Sequence, residues 1–169
     1  MRPVNYLSGY PPELVARVDR LISQGKLADW LQGRHPQAHD VRTDRALYDY
    51  VQALKSEHLR SAGPLSKVVY DGKLHIVRQA LGTHTSVARV QGRNLKTKCE
   101  IRVAALFKAM PEAYLRMIAV HELAHMRVQA HDKAFYQLCS HMEPEYGQLE
   151  FELRAYLTYL EAGGAPLWG

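Results

Sequence analysis

The run Val120-His121-Glu122-Leu123-Ala124-His125 carries two histidines four positions apart, with a glutamate directly after the first. On a helix, about 100° of turn per residue sets His125 roughly 40° round the axis from His121 and about 6 Å along it. Two imidazoles so placed can share one divalent cation, and Glu122, about 100° round, sits beside it as a base. Zinc suits such an H-E-x-x-H helix, because three protein ligands leave it one corner for water. The chemistry implied is hydrolysis, with Glu122 taking a proton from the attacking water.

Two histidines do not complete a site, so a third ligand is needed. His131 follows six residues after His125. In an unbroken helix it would lie about 15 Å along the axis from His121, too far to share a cation. The chain must therefore turn back after about Arg127, and Val128-Gln129-Ala130 holds no Gly or Pro to signal the turn. Glu145 is the competing ligand, since a glutamate on a following helix completes His₂Glu sites. Glu143, Glu150 and Glu152 are weaker rivals, and His141 is a candidate fourth ligand. Tyr136 and Tyr156 are candidates to stabilise developing negative charge, against the plainer reading that they pack.

The residues His121-Glu122-Leu123-Ala124-His125, then His131, then Lys133-Ala134-Phe135-Tyr136 closely resemble the YgjP-like metallopeptidases. Their pattern is H-E-L-A-H, five residues, a third histidine, then a helix opening on an aromatic pair. The SprT-like and WLM zincins are similar. Tyr136 stands where that family commonly has tryptophan. The likeness runs from about Ser66 to Leu160 and leaves the first sixty residues unexplained. It implies one zinc ion held by His121, His125 and His131, with Glu122 catalytic, and it sets His131 above Glu145.

The elements that must position these residues read as α+β. Residues Pro111 to Val120 form an amphipathic helix leading into the motif, with Leu115, Ile118, Ala119 and Leu123 on its buried stripe. Before it, Lys67–Tyr70 and Lys73–Arg78 flank Asp71-Gly72, a type I′ hairpin signal. Further strands span Thr85–Val90 and Leu95–Val103. In the last, Leu95, Thr97, Cys99, Ile101 and Val103 alternate with Lys96, Lys98, Glu100 and Arg102, so one face is buried and the other wet. The expected unit is zincin-like: an antiparallel sheet of about four strands packed on the H-E-x-x-H helix. Helices are expected at Pro11–Gly25, Leu27–Leu31, Thr43 to about Arg60, Lys133–Cys139 (capped by Asp132) and Gln148–Glu161. The division is an N-terminal helical region over 1–63, the catalytic unit over 64–163 and a loose tail over 164–169.

Composition bounds the remaining classes. A chain of 169 residues suits one domain, or one with a helical extension. No apolar run approaches the ~18 residues of a membrane span, and Met1–Tyr10 lacks a signal-peptide core. Cys99 and Cys139 form no C-x-x-C pair and read as reduced thiols of a cytoplasmic protein. Residues 1–110 hold 18 basic against 9 acidic side chains, and 111–169 hold 4 against 8. A stripe of Arg93, Lys96, Lys98 and Arg102 could contact phosphates, yet no aromatics interleave it, and a solvated charged face is the plainer reading.

These observations lead to a zinc metallopeptidase as the expected function, with a peptide or protein substrate and nucleic acid not favoured as a partner. The alternatives are a SprT-like protease recruited to nucleic acid, a hydrolase of a non-peptide bond such as a phosphoanhydride, and a non-catalytic zinc-stabilised module. A structural zinc site needs no base beside it, so Glu122 argues against the last.

Overall fold

The computed structural model describes residues 5–73, 82–91 and 94–169, with backbone alone for 82–91 and 94–98. Three helices come first: α1 (Pro12–Ser23), α2 (Leu27–Arg34) and α3 (Asp44–His58). Pro12 opens α1 where a missing N–H costs nothing, and Gly25, at φ +68°, reverses the chain after it. Thr43 caps α3 by accepting the Ala46 N–H at 3.1 Å. Leu47, Val51 and Leu54 form the buried stripe of α3.

The sheet follows, with β1 (Leu65–Asp71), β2 (Gly82–Gln91) and β3 (Asn94–Ala104) in the order β1-β3-β2. β2 and β3 pair antiparallel, Gln91 opposite Asn94. β1 instead runs parallel to β3, with Val68 opposite Ile101 and Tyr70 opposite Val103. Among the described residues the sheet is therefore three-stranded and mixed, and the expected antiparallel sheet of about four strands is not shown, because β1 pairs parallel. Asp71 does start a turn, its Oδ1 accepting the Lys73 N–H at 2.8 Å, but the strand expected over Lys73–Arg78 lies, past Lys73, outside the described residues. Local turn chemistry marks where a chain bends, while strand direction is decided by a crossover that no short window contains. On β3 the alternation holds where side chains are described: Ile101 and Val103 are fully buried, Glu100 and Arg102 half-buried. Arg102 lies between Asp71 and Glu100, at 3.5 and 3.7 Å. Arg93, Lys96 and Lys98 of the expected basic stripe lie outside the described side chains.

A 3₁₀ turn at Ala105–Ala109 leads to α4 (Glu112–Ala124), then α5 (Lys133–Met142) and α6 (Tyr146–Glu161). α4 is not amphipathic as expected. From Tyr114 to Ala124 every side chain but Arg116 is buried, because sheet, α3, α5 and α6 surround the helix. One apolar cluster runs from Val18, Leu31 and Leu47 through Ile101 to Leu115 and Leu153, so the first helices share the core of the motif helix. The tail is seated rather than loose. Trp168 is buried against Tyr114 and Tyr156, and its indole N–H donates to the His35 carbonyl at 2.7 Å. Among the described residues, no helix is long and apolar enough to cross a membrane.

Candidate metal centre

α4 delivers His121 and Glu122 from its last turn into the buried interior, and His125 stands at its C-cap. The helix stops there without glycine or proline. Met126 and Arg127 close back on Leu123 and Ala124 through i→i+3 bonds of 3.0 Å. The His125 ring then lies 3.0 Å from the Val128 carbonyl through its own Nδ1. A neutral imidazole facing a carbonyl must donate, so the proton sits on Nδ1 and the lone pair on Nε2. One side chain thus pins the turn and orients itself. The chain reverses about two residues earlier than expected, and His131 swings back.

The result brings the three histidines together. His125 Nε2 lies 3.3 Å from His121 Nε2 and 3.0 Å from His131 Nε2, and all three candidate ligand atoms fall within 4.8 Å of one another. Nitrogens about 2.0–2.1 Å from a tetrahedral zinc stand about 3.3 Å apart, so these separations fit a shared ion. Without a cation the converging lone pairs would repel. Asp132, one residue on, caps α5 by accepting the Phe135 N–H at 3.0 Å. That start of α5 drives the buried Phe135 ring under the cluster, with centroids 4.5–5.0 Å from all three imidazoles.

Electrostatics point the same way. Burial first, then the neighbouring His125 and His131, push His121 down to about 3. Burial likewise lowers His125. Both rings therefore offer lone pairs near neutral pH. Glu122 is almost wholly buried, and its Oε2 has no hydrogen-bond partner among the described residues. Burial raises its carboxyl to about 8. A buried oxygen left unpaired is costly, and it marks a place where water or a reacting group belongs.

The rivals fall elsewhere. Glu145 is exposed at the N-cap of α6. Glu143 is paired with Arg116 at 2.8 Å, Glu150 with Arg154 at 3.2 Å, and Glu152 with Arg34 at 2.9 Å. His141 stacks edge-on against His58 and lies outside the three-histidine group. Tyr156 packs on Trp168 and accepts the Leu167 N–H, so it serves the tail and not the centre. Tyr136 is exposed beside Phe135. The tyrosine that does meet the centre is Tyr146, which the sequence reading missed. Its hydroxyl lies 2.7 Å from His121 Nδ1, and the ring is buried. Nothing in the spacing announces it, since the contact joins α4 to α6 across 25 positions. Cys99 and Cys139 are buried and in no disulfide, Cys139 in side-chain contact with the Tyr146 hydroxyl.

Comparison with known proteins adds two findings. A family model described as YgjP-like, metallopeptidase domain, matches residues 92–156. A protein of Escherichia coli (strain K12) named UTP pyrophosphatase is 54% identical over 163 residues, covering 96% of this chain and 98% of its own. No solved structure matches the chain.

Proposed function

Since the chain belongs to the YgjP-like family, we propose that it is a zinc-dependent hydrolase whose bond is a phosphoanhydride of a nucleoside triphosphate. The hydrolase reading is carried by three convergent imidazole nitrogens together with the buried, unpartnered Oε2 of Glu122, the residue next in the chain to His121. The substrate half rests on the full-length likeness to a protein named UTP pyrophosphatase. Fold-level likeness does not determine chemistry, but 54% identity along almost the whole chain is a closer relation than fold.

His121, His125 and His131 would hold the ion. When bound, zinc supplies Lewis acidity at the bond to be broken and lowers the pKa of adjacent water to about 7. The chain's own groups do the rest. A bound cation's charge would draw the Glu122 carboxyl down from its metal-free value of about 8, and the ionised carboxylate accepts a proton from water as the water oxygen bonds to phosphorus. The bridging P–O bond breaks, diphosphate leaves with its oxygen, and Glu122 releases the proton to solvent. The imidazoles are neutral, and their outer partners are a phenol and a backbone carbonyl. Such a ligand set leaves the positive charge of a divalent ion uncancelled, which favours a polyanionic substrate.

The second reading, peptide cleavage, is supported by the description of the family model and by β2, one of the two outer strands among the described residues. An extended peptide can add to such an edge. One experiment separates the two. Zinc-loaded wild type and Glu122→Gln are assayed for diphosphate release from UTP and for cleavage of a peptide library. Wild type should release diphosphate, and Glu122→Gln should keep its zinc while losing at least about a hundredfold in kcat. Peptide cleavage without diphosphate release would overturn the phosphoanhydride reading. Undiminished turnover in Glu122→Gln would remove Glu122 as the base.

A further inference from the structure

Beside the metal centre lies an open cleft of about 440 Å³, walled by residues 8–10, by Tyr136 of α5 and by Gly147, Glu150 and Arg154 of α6. It is two ring contacts from the histidines. Tyr136 packs on Phe135 at 5.3 Å and on Tyr146 at 6.3 Å, and both of these touch His121. The cleft is within the size range of small-molecule sites. Tyr136, an aromatic ring able to stack, leaves 41% of its surface exposed.

The polar groups are arranged and partly unused. Glu150 Oε1 accepts from Arg154 Nε and Nη2, both at 3.2 Å, and Arg154 Nη1 donates to the Tyr6 carbonyl at 3.0 Å. The Glu150 side chain is nine-tenths buried, and both of its bonds from Arg154 fall on Oε1. Three of the five guanidinium N–H groups are engaged by those bonds, and two remain. Burial first and the charge of Glu150 second raise both Tyr10 and Tyr136, so the two phenols face the same carboxylate. Gly147 leaves the floor open, with nothing within 4 Å of where a side chain would begin.

We propose that this cleft seats the nucleobase of the substrate, and that its wall of Glu150, Arg154 and Tyr136 favours uracil. Uracil offers a flat π face for Tyr136 and an N3–H donor between two carbonyl acceptors. Glu150 Oε2, the oxygen that takes neither Arg154 bond, accepts that N–H, and the spare Arg154 donors answer a carbonyl. Cytosine presents a lone pair at the same ring position, which would face the carboxylate and be rejected. The choice of ligand rests on the nucleotide-hydrolase reading; the shape and polarity of the cleft do not.

Calorimetric titration of zinc-loaded protein with UMP and CMP tests this, because the two share a phosphate and differ only in the base. UMP should bind at least about tenfold more tightly than CMP. Glu150→Gln should remove most of that difference, because its amide can answer either base, whereas Tyr136→Ala takes away the stacking face alone and should weaken both nucleotides alike. Gly147→Leu fills the cleft from a helical position with open space around it and should do the same without loss of folding. For UTP, Tyr136→Ala and Gly147→Leu should raise KM about tenfold and leave kcat within about threefold. Equal affinity for UMP and CMP in the wild type, base preference unchanged in Glu150→Gln, or unchanged affinity in both Tyr136→Ala and Gly147→Leu, would overturn the assignment. If UMP preference is found but UTP is not hydrolysed, the subsite stands and the phosphoanhydride reading falls.

Discussion

At the scale of single residues, the ligand set shows how a side chain is used twice. His125 gives one nitrogen to the turn and keeps the other for the cluster. His121 divides its ring in the same way, with Tyr146 as the outer partner at 2.7 Å. For Nε2 of His121 to face the other two lone pairs, Nδ1 must carry the proton and donate to the phenol oxygen. Tyr146→Phe keeps the buried ring and removes that acceptor. Zinc affinity, measured by chelator competition, should fall about 10- to 100-fold while the thermal midpoint of the metal-free protein changes little. Nitrogen NMR of His121 should then show the proton no longer held on Nδ1. Wild-type affinity in this variant would leave the contact as packing alone.

At the scale of elements, the decisive event is the end of α4 and the restart at α5, joined by the eight residues from His125 to Asp132. The helix stop comes from a histidine ring and the restart from a carboxylate cap, so no glycine was available to announce either. Asp132→Ala leaves the Phe135 N–H without its acceptor. It should cost about 1 kcal/mol by urea denaturation and, by loosening the segment that carries His131, weaken zinc binding several-fold. A stability loss with zinc affinity untouched would mean that His131 is held by something other than this cap. The sheet teaches the complementary lesson. The residues of β3 and the turn after Asp71 were legible from alternation and turn chemistry, whereas the parallel pairing of β1 with β3 was not.

At the scale of the whole molecule, the first helices are tied to the motif helix through a fully buried carboxylate. Glu152 on α6 accepts from Arg34 Nε at 2.9 Å and Gln148 Nε2 at 2.9 Å, and it meets His35 Nε2 at 2.8 Å and the Tyr114 hydroxyl at 3.2 Å. It therefore joins α2 to both α4 and α6. Removing it strands several donors together. Glu152→Ala should destabilise by about 3 kcal/mol, at the lower end for a broken buried pair because Arg34 is 37% exposed on its side chain. Denaturant unfolding should show one transition with an unchanged slope. A second transition would mean that the first helices unfold on their own.

Spacing alone determined what is periodic or local: the two histidines on one helical face, the glutamate between them, the capped helix starts and the alternation of β3. Those follow from 3.6 residues per turn, two per strand repeat and the hydrogen-bonding reach of a short side chain. Tertiary structure alone decided that Tyr146 and not Tyr136 or Tyr156 meets His121, that Glu145 stays in solvent, that β1 runs parallel to β3, and that Trp168 closes the tail onto α2's end. Each of these joins residues far apart in the chain. Such contacts are selected by how helices and sheet fill one shared core, and no window of sequence contains both partners.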